Sequence, residues 1–307
     1  MSTALVTGSR GQDGTYLAAH LGRLGYRTVG IDRDGPVDLR DREAVRTLLG
    51  KVQPREVYHL AAHHHSSQDS VGDDVDLFRR SHDIHALATV NLLEGISRSC
   101  PAARLFFAGS CQLFGTPSAA VQDESTPMQP DGIYGITKLA GVNLCRYYRR
   151  QRGVYAAVGL LFNHESPLRG PNFVSKKIAA GVAAIHQGRQ AGLVLGDLDA
   201  EIDWGFAGDY VAAMHEVLQL PEPEDFVIST GERHSVRDFV AQAFSLVGLE
   251  WQRYVTVDPS MLRARPHATL HGNPAKLTRM TGWRPATTFP DLIRLMVNAE
   301  LEKHAHG

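Results

Sequence analysis

The chain has 307 residues and a formal net charge of −1; 43% of its residues are hydrophobic and 21% charged, which suits a folded enzyme of one large or two interleaved domains. A charge so near zero gives no electrostatic footprint for nucleic acid or a membrane surface, and no apolar run is long enough to span a bilayer. Cys100, Cys111 and Cys145 lack metal-ligand spacing, and their odd, small number suits a reducing cytoplasm better than a disulfide framework; a strand starting at Ala4 leaves no room for a signal peptide.

In chain order, Ala4–Thr7 reads as a short apolar strand. A loop with Gly8, Gly11 and Gly14 follows, then a helix whose Leu17, Leu21 and Leu24 recur at i, i+4 and i+7 as one buried face. Gly25 stops that helix and Thr28–Ile31 reads as a second strand. Strand, glycine loop, helix and strand make a dinucleotide-binding unit. Gly8 permits the tight turn, Gly11 permits backbone approach to a pyrophosphate, and Gly14 lets helix and strand pack closely. The free amides of the helix N-terminus, around Gln12 and Asp13, suit phosphate. Asp32 closes the second strand, where a carboxylate bonds ribose hydroxyls and favours NAD. Arg10 and Arg33 stand where a guanidinium could hold the 2′-phosphate of NADP instead.

Asp38 and Leu39 are expected beside the adenine, and Asp41 as the N-cap of a helix. Val57–Leu60 is a third strand, leading to Ala61 and Ala62, small enough for close approach to a cofactor. His63–His65 invite a metal reading, but consecutive residues cannot all point at one ion, and a loop at the rim of a substrate site suits His64 and His65 better. One helix is expected from about Leu77 to Ile96, with Ile84, Leu87, Val90 and Leu93 as its core face and Asn91 structural.

Leu105–Ala108 reads as a buried strand with Ser110 at its carboxyl end. Tyr134 and Lys138, four apart, share a helix face. A nearby ammonium favours the phenolate, so Tyr134 can act as a base near neutral pH while Ser110 holds the substrate oxygen. Tyr155–Phe162 is a further strand, running into Asn163-His164-Glu165.

The glycine spacing and the Ser110, Tyr134, Lys138 set resemble those of short-chain dehydrogenases. The runs Asn163–Ile178, Leu195–Val211 and Glu224–Val240, together with T-G-S-R-G-Q-D-G-T-Y-L at the start, resemble the GDP-mannose 4,6-dehydratase family. That resemblance implies an α/β fold: a Rossmann-type doubly wound parallel sheet, from residues 1–165 plus about 205–230, with a smaller α/β C-terminal lobe from about 166–204 and 231–307. The tail Trp283–Phe289 is expected to cap the sugar. Family members oxidise C4 of a GDP-hexose, eliminate water across C5 and C6, and return the hydride to C6.

Implied cofactor contacts, to NAD or NADP, are Gly8, Arg10, Gly11, Gln12, Asp13, Gly14, Asp32, Arg33, Asp38, Leu39, Leu60, Ala61, Ala62, Tyr134, Lys138, Phe162 and His164. Implied substrate contacts are His64, His65, Asn163, Glu165, Asn172, Val174, Lys176, Lys177 and Arg265. At the C5 base the family has glutamate, whereas this chain has Gln112, an amide that cannot take a proton. Cys111, His64 and Glu165 are the candidate substitutes. Ile202 replaces a diphosphate arginine, and Ala268 an acidic residue. A long loop is missing between Asp34 and Val37; in the family it helps build a tetramer, so its loss suggests a homodimer. Three readings stay open: a dehydratase with a substitute base, a C4 dehydrogenase, reductase or epimerase, and a non-catalytic nucleotide-sugar or dinucleotide binding protein.

Overall fold

The structure is a computed structural model describing residues 1–63, 73–261 and 269–303. In chain order its first half gives β1 (Thr3–Thr7), α1 (Gln12–Arg23), β2 (Arg27–Ile31), α2 (Arg42–Val52), β3 (Glu56–His59), α3 (Asp74–His82), α4 (Ala88–Ser99), β4 (Arg104–Ala108), α5 (Ile133–Arg152) and β5 (Tyr155–Leu161). The second half adds β6 (Asn163–Glu165), α6 (Val174–His186), β7 (Leu193–Leu195), β8 (Glu201–Ile202), β9 (Trp204–Phe206), α7 (Ala207–Gln219), β10 (Asp225–Ile228), β11 (His234–Ser235), α8 (Val236–Ser245), β12 (Val255–Val257), α9 (Ala275–Thr281) and α10 (Phe289–Glu302).

Six strands form one parallel sheet in the order β10-β5-β4-β3-β1-β2. Apolar side chains alternate between its faces with the period of two that a pleat imposes. Leu5, Val57, Leu105 and Phe107 point into a core with α2, α4 and α5. Ala4, Val6, Tyr58 and Phe106 point into a second core with α1 and α7. Burial on both faces explains why these strands read as nearly unbroken apolar runs. Strand order reverses at β1, which has β2 on one side and β3 on the other. The carboxyl ends of β1 and β3 therefore flank the crevice where such sheets bind ligands.

A third core joins α6, α8 and α10 through Ile178, Val182, Phe239, Val240, Ile293 and Val297. Trp204 and Phe289 stack within it, with ring centroids 5.7 Å apart. The tail expected over a sugar is instead built into these cores. Trp283 joins the α1–α7 core and donates to the Asp209 carbonyl at 3.1 Å, while Phe289 anchors the third core. Among the described residues no helix is long and apolar enough to cross a membrane.

Two helical expectations need correction. Leu24 caps the C-terminal end of α1 and is 50% exposed, so the buried face stops at Leu21. The single helix expected from Leu77 to Ile96 is α3 and α4 joined by a π turn at Asp83–Leu87. A π turn inserts an extra residue and rotates the helix beyond it, turning Leu87 outward and putting Ala88, Leu92, Leu93 and Ile96 in the core. Asn91 is structural as expected: its amide donates to the carbonyls of Leu39 and Arg40 at 2.9 and 3.1 Å. Asp41 caps α2, accepting from the amides of Glu43 and Ala44.

Candidate active site

The glycine loop leaves β1 at its carboxyl end. Gly8 has φ +72°, in the left-handed region, and a Cβ there would stand 3.0 Å from the Ala61 backbone. A Cβ at Gly14 would overlap the Gly8 carbonyl and Ser9, so only glycine lets α1 start this close to β1. Gly11 is the N-cap of α1 and supplies no capping side chain. Leu60, Ala61 and Ala62 follow β3 across the crevice, where Leu60 N and Ala61 N donate to Thr7.

Asp32, just past β2, accepts from Ser9 Oγ at 2.5 Å and from the Arg10 amide at 3.0 Å. Burial works to raise its carboxyl, but these bonds and the Arg10 guanidinium hold it below the usual range. Arg10 is itself shared between Asp32 and Asp34, each at 3.3 Å. Arg33 is exposed. Asp38 forms an ion pair with Arg40 at 2.7 Å, and the Leu39 side chain is turned into the core. Phe162 is likewise a core side chain, with its ring 6.2 Å from that of Phe114.

Ser110 stands past the end of β4, its Oγ accepting from the Gln112 amide at 3.2 Å. Tyr134 lies on the first turn of α5 and Lys138 one turn on, its Nζ 5.8 Å from the Tyr134 ring centroid. Lys138 Nζ also donates to the Ala108 carbonyl at 2.7 Å, tying α5 to the end of β4. The expected depression of the Tyr134 phenol is overridden: burial first, then Cys111, push it well up, against the pull of Arg169. Burial lowers the Lys138 ammonium to about 7, with Asp13 opposing.

Three residues here were not singled out from the sequence. His85, in the π turn, meets the Tyr134 ring edge-on at 5.1 Å, bonds Thr137 Oγ1 through Nδ1 at 2.9 Å and accepts from the His63 amide at 3.2 Å. His59 feels the charge of Lys138 and sits between Thr7 Oγ1 at 2.7 Å and the Ile84 carbonyl at 3.1 Å. Arg169 stands over the Phe173 ring at 3.5 Å, with Nε 3.1 Å from Glu165, and its charge reaches Tyr134. The available signal was a polar residue inside an apolar run for His59 and His85; Arg169 gave none.

Two of the three candidate substitutes for a C5 base, Cys111 and Glu165, lie within the described residues, and both are buried. Cys111 is a buried core side chain whose thiol burial pushes up to about 12. Glu165 is buried, accepts from Ser175 Oγ at 2.5 Å and lies 3.1 Å from Arg169 Nε. Gln112 is exposed to solvent. His64, His65 and Arg265 lie outside the described residues.

On the lobe side, Asn163 and His164 belong to β6, paired with β9. His164 bonds Asp13 at 2.9 Å, bringing the β6 loop onto the glycine loop. Asn172 is exposed, and Val174 opens α6 against the third core. Lys176 is a correction: it is buried, ion-paired with Glu300 of α10 and bonded to the Pro167 carbonyl at 2.6 Å, so it offers no charge to a diphosphate. Lys177, on the adjacent face, lines a groove of about 350 Å³ with Arg189, Gln190 and Gly181.

A parallel sheet with a glycine loop at its switch point and a Ser, Tyr, Lys set beyond the next strand ends defines a Rossmann-type short-chain dehydrogenase. Residues 35–296 match the family model described as GDP-mannose 4,6 dehydratase. The chain is 36% identical to GDP-mannose 4,6 dehydratase 1 of Arabidopsis thaliana, over 97% of this chain and 90% of that one. The structure of RMD from Pseudomonas aeruginosa, complexed with NADPH, shares the fold at TM-score 0.84 and 23% identity, over 99% of this chain and 100% of that one. UDP-glucose 4-epimerase of Thermus thermophilus, in complex with NAD, gives 0.81 at 25% identity, over 99% of both chains. The chain belongs to the GDP-mannose 4,6-dehydratase family, and with it to the NAD(P)-dependent nucleotide-sugar enzymes.

Proposed function

We propose that this protein moves hydride at C4 of a GDP-linked hexose and lacks the carboxylate that would carry the reaction on to loss of water. The dinucleotide fits the crevice by the positive φ of Gly8, the Gly14 contact and the uncapped start of α1, and Asp32 at the ribose end favours NAD. When bound, the nicotinamide supplies the hydride acceptor or donor. Ser110 Oγ holds the C4 oxygen, and Tyr134, protonated at rest, works as a relay: it gives up its own proton toward Lys138 as it takes the proton of the C4 hydroxyl. Burial lowers Lys138 to about 7 and so leaves it partly a free amine near neutral pH. A hydroxyl that loses a proton to Tyr134 and a hydride from carbon leaves a 4-ketone lighter by two hydrogens.

The observation that carries this reading is Gln112. It stands where the family resemblance implies glutamate, while Cys111 is a buried thiol and Glu165 is tied to Arg169 and Ser175. The family match over residues 35–296 favours the second reading, a complete dehydratase.

Mass spectrometry after incubation with GDP-mannose and each oxidised dinucleotide separates the two. The C4 reading expects a product lighter by two hydrogens, or an unchanged mass with epimerised sugar by NMR. It also expects Gln112→Glu to begin releasing a product lighter by one water. Loss of water from the natural protein would overturn the first reading in favour of the second.

A further inference from the structure

We propose that His164 is held as an imidazolium to neutralise Asp13 at the N-terminus of α1, so that this helix end can accept the pyrophosphate of a dinucleotide. The inference rests on the reading that a nicotinamide dinucleotide binds at the glycine loop.

The geometry fixes the protonation state. His164 Nδ1 lies 2.7 Å from the Phe162 carbonyl oxygen, and Nε2 lies 2.9 Å from Asp13 Oδ2. A carbonyl and an ionised carboxylate can only accept, whereas a neutral imidazole has a single N–H and would turn a lone pair toward one of them. Both nitrogens must therefore carry hydrogen. The ring is stacked on Tyr210 of α7 at 4.7 Å and 24°, which favours this orientation. Gln12 closes the arrangement: its amide donates to Asp13 at 3.2 Å and to the His164 carbonyl at 3.0 Å, and its oxygen accepts from Ser166 at 2.8 Å.

Three groups from different elements face the ring. Asp13 comes from α1, Arg169 from the loop after β6, and Tyr210, whose phenol burial pushes well up, from α7. Burial opposes the His164 charge, as does Arg169, but Asp13 and then the Phe162 carbonyl raise the imidazole on balance. Asp13 is in turn lowered despite its own burial, with His164 the main cause.

A carboxylate in the first turn of a helix competes with an anionic ligand for the same amides and the same positive field. Asp13 is such a carboxylate, and the glycine loop is where the phosphates would sit. Left unpaired, it would repel them. Paired with His164, it gives a nearly neutral bridge that joins the glycine loop to the β6 loop.

Isothermal titration of the purified full chain with NAD and with NADP tests this. His164→Asn is expected to weaken dinucleotide binding by about tenfold, the scale of one uncompensated charge. Adding Asp13→Asn in the same chain is expected to recover most of that loss, since the repelling charge is then gone. A double variant that binds no better than His164→Asn alone would overturn the proposal and leave the pair a purely structural contact. Failure of the natural protein to bind either dinucleotide would instead sink the cofactor reading. Should His164→Asn not fold, 15N shifts of the His164 ring in the natural protein decide: a neutral ring at pH 7 overturns the proposal, and a charged one supports it.

Discussion

Burial keeps Tyr134 protonated, beside an ammonium that burial lowers to about 7. On the reading proposed above, the proton of the substrate hydroxyl passes through this phenol. Tyr134→Phe is therefore expected to cut hydride transfer by about 10²–10⁴-fold, followed as nicotinamide absorbance, with dinucleotide affinity little changed by titration. Turnover within a few-fold of the natural rate would remove Tyr134 from the reaction. Ser110, Tyr134 and Lys138 were legible in the sequence because their relation is local: a strand end, and one helix turn. His85 and Arg169 were not, because their importance lies in what they touch across the fold. Lys176 misled for the same reason, since a lysine beside a phosphate and a lysine buried against Glu300 look alike in one dimension.

Helix α10 is fastened to α6 by the buried pair of Lys176 and Glu300, with Lys303 sharing the same carboxylate at 2.7 Å. Removing one partner of a buried pair leaves an uncompensated charge, which costs far more than the pair itself contributes. Glu300→Ala is expected to destabilise the protein by about 3 kcal/mol in urea unfolding, whereas Arg294→Ala, on an exposed turn of the same helix, should change it by less than about 1 kcal/mol. Equal effects would show that the Lys176 pair is not a buried anchor. Strands β1 to β5 were visible as apolar runs, but the π turn was not. Nothing in Asp83–Leu87 announces an extra residue per turn, and its contacts, such as those of His85 with Thr137 and His63, lie across the fold.

The molecule as a whole carries a pH signature in its buried bases. His59 takes up its proton at about 3 when folded, against 6.5 as an ordinary imidazole, chiefly through burial and then through Lys138. Between those values the unfolded chain binds more protons, so stability falls as pH falls, by up to about 1.4 kcal/mol per unit from this group. Lys138 acts in the same sense higher up, so stability also rises with pH from about 7 toward 10.5. Thermal midpoints are expected to climb from pH 4 to 7, and less steeply in His59→Gln; identical slopes would show that His59 is not the group responsible. The sheet was legible up to β5, and the return of the chain to it through α7 and β10 came from resemblance rather than from periodicity. That return sets an order of events during synthesis. Strand β5 is a bare edge until Asp225–Ile228 has left the ribosome, after the whole stretch holding α6 and α7, and Arg146 and Arg149 wait to seize Asp225 when it arrives. A chain halted before Asp225 would present an open, apolar strand to its neighbours, the usual start of edge-to-edge aggregation.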